Sequence, residues 1–224
     1  MLLRLEGILT RDQLRGAREM LANAKFVDGK ASAGMAAARV KHNQEADRQV
    51  AEIRNLDNLV MGSLVRHSVY RAGALALKVA TPFYARYVPG MRYGDHVDDP
   101  IMGVGEGLYR TDIAITVFLN EPDSYDGGEL VIQTAFGDQA VKLPAGDGVL
   151  YPASSIHHVN PVTRGERLVA VTWVQSLVRD PARRELLYGL NQAREALLSN
   201  SPDAPETAQV NAAYLNLVRM WADI

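Results

Sequence analysis

Cysteine is absent from the chain. That single absence removes disulfides, thiolate nucleophiles, iron–sulfur clusters and cysteine-ligated zinc, and it suits a reducing compartment. Long apolar runs are missing as well. Nothing approaches the roughly 18 residues that read as a membrane span, and Arg4 and Glu6 interrupt the apolar start, so no secretory signal is read there. Charge of one sign is scarce: 24 Lys and Arg stand against 26 Asp and Glu, for a formal net charge of −2. This excludes the global basic field of a nucleic-acid or anionic-lipid binder. Internal repeats and low-complexity tracts are also missing. What remains is expected to be a soluble cytoplasmic protein of 224 residues, 47% of them hydrophobic, long enough to bury one large core without staples.

The texture of the chain changes along its length. From Thr10 to about Leu75 it reads as mostly helical. Thr10 and Gln13 form a capping-box pattern, and Leu14, Ala17, Leu21 and Ala24 then share one face. A second helix is expected near Glu45–Leu64, with Val50, Ile53 and Val60 on its apolar side. From about Thr81 to Ser176 the period becomes two. Ile113, Ile115, Val117 and Leu119 alternate with their neighbours, and short strands follow at Glu129–Thr134, Gln139–Leu143, Gly148–Pro152, His157–Val162 and Glu166–Ser176. Turn signals separate them, which predicts an antiparallel sandwich or barrel. From Asp180, an N-cap before Pro181, the helical period returns. Leu186, Leu190, Ala193 and Leu197 form one stripe, and Val210, Tyr214, Leu217 and Trp221 form another after a break at Ser199–Pro205. Both stripes are expected to cover the barrel or a partner subunit, which leaves a homo-oligomer through the terminal helices open.

Two constellations carry chemistry. In an extended segment residues i and i+2 point to the same side, so His96 and Asp98 can converge on one ion. The His157-His158 pair lies far along the chain on a later strand, and only one of two adjacent strand residues faces inward. If apolar Val159 is inside, His157 is inside with it and His158 faces out. Two histidines and one carboxylate leave adjacent positions open on an octahedral ion, the facial set of non-haem Fe(II) oxygenases, whereas a structural zinc site is closed by four ligands. His42 and His67 fall in stretches read as helical, with no partner pattern. The second constellation is Arg167, in strand phase with Val169, Val171 and Trp173. An inward guanidinium is costly unless it meets an anion. From the residues alone, that anion is equally a small dicarboxylic acid held bidentately or one of Glu166, Glu129 and Asp147. Arg164, in the preceding turn, is expected to be exposed. The turn Glu121–Gly128 reads as a plain hairpin loop in preference to a mobile lip.

The pattern Tyr87-x5-Tyr93-x2-His96-x-Asp98, then Gly127-Gly128-Glu129-Leu130, Pro144-x-Gly146-Asp147 and His157-x-Val159-x-Pro161-Val162-x2-Gly165-x-Arg167 resembles the prolyl-4-hydroxylase-like branch of the Fe(II)/2-oxoglutarate dioxygenases. More closely, Arg86 to Asp98, Val162 to Gly165, Gln175 to Asp180 and the terminal Leu217 to Trp221 are similar to bacterial PKHD-type hydroxylases. The resemblance covers nearly the whole chain. It implies an α+β protein whose mainly β core is a double-stranded β-helix, or jelly roll, with N-terminal helices over 1–177 and a small C-terminal helical extension over 178–224. It implies His96, Asp98 and His157 as iron ligands, Arg167 on the distal carboxylate of 2-oxoglutarate and Tyr87 beside it, although Tyr87 alone reads equally as core packing. The expected activity is hydroxylation with release of succinate and CO2, using Fe(II), 2-oxoglutarate and O2, with ascorbate as a possible reductant. The group is associated with iron uptake, and its substrate, a small molecule or a peptide, is not implied. Nucleic-acid and membrane partners are not expected. A cupin-like metalloenzyme that does not use 2-oxoglutarate, and a non-catalytic ligand-sensing barrel, are the competing readings.

Overall fold

The computed structural model describes all 224 residues, apart from the side chains of residues 51 and 52. Two antiparallel sheets face one another. The larger has eight strands, with Leu3–Leu5, Gly148–Pro152, Ile113–Phe118, Arg167–Ser176, Phe83–Tyr87, Gln44–Ala46 and Phe26–Asp28 in that spatial order and Ala76–Val79 added against Arg167–Ser176. The smaller has five, ordered Gly137–Val141, Leu130–Thr134, His157–Val159, Arg92–His96 and Lys41–His42.

Alternation on the central strands builds two cores. Ile113, Ile115 and Val117 pack outward with Leu168, Ala170 and Val174 against the N-terminal helices. The intervening Ala114 and Phe118 pack inward with Val169, Leu130 and Val159, between the sheets. The first core is closed by α1 (Arg11–Ala22), α2 (Ala51–Leu64) and α3 (Ser68–Ala74) through Leu14, Leu21, Ile53, Leu56, Val60 and Tyr70. The capping box at Thr10 forms as the sequence predicts: the Gln13 amide N–H donates to the threonine hydroxyl, and the Gln13 side chain accepts from the Thr10 N–H. Each such cap contributes about 1 kcal/mol.

Several expectations need correction. The helix read over Glu45–Leu64 begins only at Ala51, because residues 44–46 form a strand, and short strands at Phe26–Asp28 and Lys41–His42 also interrupt the stretch read as helical. His42 therefore lies on a strand and is exposed, while His67 is the residue before α3. The strand read as His157–Val162 breaks at Asn160 and Pro161 and resumes at Val162–Arg164, since Pro161 has no N–H for the ladder.

The C-terminal helices are α4 (Pro181–Asn200) and α5 (Pro205–Trp221), with Asp180 capping the first through the amides of Ala182 and Arg183. The Val210, Tyr214, Leu217 and Trp221 stripe is half-buried as expected. The α4 stripe is not the one predicted. Leu186 is 65% exposed, and the buried residues are Arg184, Leu187 and Asn191. Arg184 tolerates burial because its guanidinium donates to the carbonyls of Val178 and Arg179, a role that hydrophobicity does not reveal.

Candidate metal centre

The site is assembled from two cross-strand pairs, one on each sheet. On the smaller sheet His157 lies directly opposite His96, and on the larger sheet Arg167 lies directly opposite Tyr87. Directly opposed residues have their Cβ atoms about 5 Å apart, so the ladder register brings together residues that are far apart in sequence. All four side chains open into one cavity of about 90 Å³ between the sheets.

Asp98 follows the Arg92–His96 strand and returns to the same side as His96. Its Oδ1 is 3.9 Å from His96 Nε2 and 3.8 Å from His157 Nε2, and the three donor atoms lie within 4.8 Å of one another. All three side chains are more than nine-tenths buried. Each imidazole is held at its other nitrogen: Nδ1 of His96 meets the Gly94 carbonyl at 2.8 Å, and Nδ1 of His157 meets the Ser155 carbonyl at 3.0 Å. A carbonyl accepts, so Nδ1 carries the proton and Nε2 keeps its lone pair for an ion. Burial, with repulsion from His157, lowers the His96 pKa to about 3, so the ring is in the neutral, ligating form at pH 7. The same burial raises the Asp98 carboxyl above its usual range, against the pull of His157 and of the Trp173 N–H. A divalent cation held by His96, Asp98 and His157 would supply the charge that keeps this carboxylate ionised.

The donor set fits ferrous iron. It offers two imidazole nitrogens and one carboxylate oxygen, and it is the sole such cluster among the described residues. No thiolate and no fourth protein ligand closes it.

Three further residues shape the centre without having been singled out as site residues from the sequence. Trp173 donates its indole N–H to Asp98 Oδ2 at 2.8 Å, which leaves Oδ1 facing the histidines. Tyr93 stacks on His96 with ring centroids 3.6 Å apart at 13°, and Tyr151 meets His157 edge-on at 5.2 Å. Trp173 and Tyr93 did carry a signal, in strand phase with Arg167 and in the quoted tyrosine pattern, but an indole donor aimed at a carboxylate is a three-dimensional fact.

His158 points away, as the phase argument requires, and pairs with exposed Asp95 at 2.8 Å. Arg164 is exposed and holds Asp126. Arg167, by contrast, is 2% exposed, and its Nε has no hydrogen-bond partner. The carboxylates that the sequence left open as its partners are engaged elsewhere: Glu166 with Arg86, Glu129 with Lys142 and Asp147 with Arg4. Its Cζ stands 5.0 Å from the Tyr87 ring and 5.7 Å from Phe118. Of the two glycines of the Gly127-Gly128 pattern, Gly128 makes room for it and Gly127 for the Pro161 carbonyl. Gly128 has φ +68°, and a Cβ there would lie 3.1 Å from Arg167 Cδ, while at Gly127 (φ +71°) a Cβ would meet the Pro161 carbonyl at 2.0 Å. The segment Glu121–Gly128 is anchored by buried Tyr125, under the Lys142 ammonium, but it is not the plain hairpin expected: it carries the chain from Ile113–Phe118 of the larger sheet to Leu130–Thr134 of the smaller, and Asp126–Gly127 pairs with Val162–Arg164 on the way.

Comparison with known proteins agrees with this geometry. Residues 82–175 match the 2OG-Fe(II) oxygenase superfamily, and residues 181–223 match the PKHD-type hydroxylase C-terminal domain. A PKHD-type hydroxylase of Thioalkalivibrio sulfidiphilus is 54% identical over the whole of both chains, and one of Hyphomonas neptunium is 45% identical over the same extent. Among solved structures, a Trichoplax adhaerens prolyl hydroxylase in complex with a hypoxia-inducible-factor peptide superposes with a TM-score of 0.58 at 15% identity, covering 83% of this chain and 86% of that one. A Streptomyces hygroscopicus protein solved with nickel, 2-oxoglutarate and hygromycin B gives a TM-score of 0.53 at 12% identity, covering 79% and 84%. These distant likenesses show the jelly-roll fold. The end-to-end identity shows more: this chain belongs to the PKHD-type hydroxylases, the 2-oxoglutarate-dependent hydroxylases of the 2OG-Fe(II) oxygenase superfamily.

Proposed function

We propose that His96, Asp98 and His157 hold Fe(II), and that Arg167 with Tyr87 receives the distal carboxylate of 2-oxoglutarate in the same cavity. One observation carries this reading: a buried guanidinium without a carboxylate partner opens into the cavity that the three clustered donor atoms also line. A neutral or metal-only site has no use for such a charge, whereas a dicarboxylic co-substrate needs one at the far end from the ion.

When bound, iron, 2-oxoglutarate and O2 supply the oxidising chemistry, with succinate and CO2 as co-products and a hydroxylated substrate. The chain's own residues bind, orient and exclude water. The Gly94 and Ser155 carbonyls fix the ligating tautomer of each histidine, and Trp173 fixes the rotation of Asp98 about its side chain. Phe118, Tyr87 and Tyr151 keep the surroundings of Arg167 and His157 apolar. The reading also takes residues 1–177 as the oxygenase unit and 178–224 as its extension. It places the enzyme in the cytoplasm; separately, no helix among the described residues is long and apolar enough to cross a membrane. Ascorbate is the proposed reductant.

The test is an anaerobic titration of the Fe(II) protein with 2-oxoglutarate, followed optically, and then succinate measurement on admission of air. A chelate absorption that grows with 2-oxoglutarate supports the reading, and its absence at saturating iron speaks for a cupin-like enzyme that does without the keto acid. Two variants grade the roles. Trp173→Phe keeps the ring but removes the donor to Asp98, and Fe(II) affinity is expected to fall roughly ten- to a hundredfold. His158→Ala is expected to change it by less than about twofold, as befits a surface pair. Equal losses in the two variants would refute the inward assignment of His157.

A further inference from the structure

The outer face of the smaller sheet carries a second concavity, a groove of about 700 Å³. It lies behind the strands that hold His96 and His157, and Tyr93 and Val159 belong to its wall and to that of the metal cavity. Exposed Lys30, Arg39, His42 and Arg92 line the groove, with half-buried His158. Asp95, the sole carboxylate in the lining, is taken by His158 at 2.8 Å. None of Lys30, Arg39 and Arg92 forms an ion pair among the described residues.

Strand geometry gathers these charges. His157 lies opposite His96 and Val159 opposite Tyr93, so the Arg92–His96 strand has one extra residue between the two pairs. That bulge lets Tyr93 and His96 both face the cavity while Arg92 and Asp95 stay outside. His42 is directly opposite Arg92 on the edge strand and shares its face. The Gly94 N–H donates to the Val40 carbonyl at 3.0 Å, and Val40 packs so closely on Gly94 that a Cβ there would lie 2.9 Å from its own. This contact holds Arg39 beside the sheet. Basic groups crowded on one face repel one another, so the arrangement does nothing for the fold by itself and calls for an anion. The volume is that of a ligand cleft and exceeds what a lone phosphate or small carboxylate fills. A single-stranded nucleic acid needs free aromatic platforms, and the one Phe, Tyr or Trp side chain in the lining, Tyr93, is already stacked on His96. A membrane surface needs an apolar face to insert beside the charges, and this basic face is concave. A chain bearing several carboxylates suits it, since each arginine fork can receive one bidentately.

We propose that this groove docks an acidic segment of a polypeptide partner, with Lys30, Arg39 and Arg92 receiving its carboxylates. The partner is thereby held against the back of the wall that carries the histidines. Lys30, Arg39 and Arg92 take no part in holding iron or 2-oxoglutarate, so the docking site stands apart from the reading of the cavity given above, and failure of either leaves the other intact.

The experiment is fluorescence anisotropy of a short fluorescein-labelled polyglutamate peptide with the full-length protein, Fe(II) being present under anaerobic conditions. Saturable binding that weakens as salt is raised is expected. Each exposed charge contact is worth up to about fivefold in affinity, so the Lys30→Ala/Arg39→Ala/Arg92→Ala variant is expected to bind the peptide roughly tenfold or more weakly. A control variant, Arg54→Ala/Arg66→Ala/Arg71→Ala, removes as much charge from exposed positions in and between the N-terminal helices and is expected to change the affinity by less than about twofold. Both variants are expected to keep the wild-type melting temperature and Fe(II) affinity. Absence of peptide binding, or equal losses in the two variants, overturns the proposal. So does a lowered melting temperature in the groove variant, which would make its charges structural. A single-stranded oligonucleotide and phosphatidylserine vesicles are titrated alongside. Tighter binding of either one than of the peptide, lost in the groove variant, overturns the assignment to a polypeptide.

Discussion

Asp98→Ala is expected to lower Fe(II) affinity by at least about a hundredfold and to end 2-oxoglutarate-dependent succinate formation. Residues that merely orient a ligand cost ten- to a hundredfold when removed, and Asp98 Oδ1 lies 3.9 and 3.8 Å from the Nε2 atoms of His96 and His157. It is also the sole anionic donor in the cluster. Without it only two imidazoles remain to face a doubly charged ion in a buried site, and the indole N–H of Trp173 loses its acceptor. The substitution has a second, separable consequence. In protein free of iron, the Asp98 carboxylate is already disfavoured by burial, so Asp98→Ala is expected to leave the melting temperature of iron-free protein nearly unchanged, a cost within about 1 kcal/mol. Loss of iron binding together with a preserved melting temperature identifies a ligand. Retained tight iron binding, measured by anaerobic titration, sinks the assignment.

The ligands were legible in the sequence because they sit on ordinary strands. His96 and Asp98 obey the i, i+2 rule, and Val159 fixes the phase of His157, so alternation alone chose it over His158. Arg167 was legible for the same reason: its phase is set by Val169, which packs between the sheets at 0% exposure. What alternation could not convey is a strand whose inward side is polar. Along Lys41–Glu45 the buried positions are Lys41, Asn43 and Glu45, so the pattern that normally marks a strand is inverted, and the segment reads as part of a neighbouring helix. The same inversion hid the true buried face of α4, where Arg184 and Asn191 are inside and Leu186 is outside. In both places burial is made tolerable by specific partners, the Glu45 carboxylate for Lys41 and two backbone carbonyls for Arg184. Partners of that kind belong to the fold and not to local hydrophobicity.

Arg167→Met is expected to make the protein more stable and less able to bind its co-substrate, so its lead in stability should shrink as 2-oxoglutarate is added. The guanidinium is always charged, 2% exposed, and lacks a partner at Nε. An unpaired buried charge is among the largest single liabilities in a fold, and replacing buried ionic groups by apolar side chains of similar volume often stabilises by about 1–4 kcal/mol. Methionine matches the unbranched stem, and its flexible thioether can fill the space among Tyr87, Phe118 and Tyr125. In a domain of this size, a gain of that order raises the melting temperature by roughly 2–10 °C. With Fe(II) present and 2-oxoglutarate at about a hundred times its dissociation constant, the wild type gains about 2.7 kcal/mol from ligand binding. The variant, with affinity reduced roughly ten- to a hundredfold by loss of a charge-assisted contact, gains much less. Melting curves at increasing 2-oxoglutarate therefore start with Arg167→Met ahead, and its lead shrinks by about 1–2 kcal/mol as the ligand saturates the wild type. A variant that is less stable than the wild type in the absence of 2-oxoglutarate would mean that Arg167 already has a structural partner, and the argument that its charge awaits the co-substrate would fail with it.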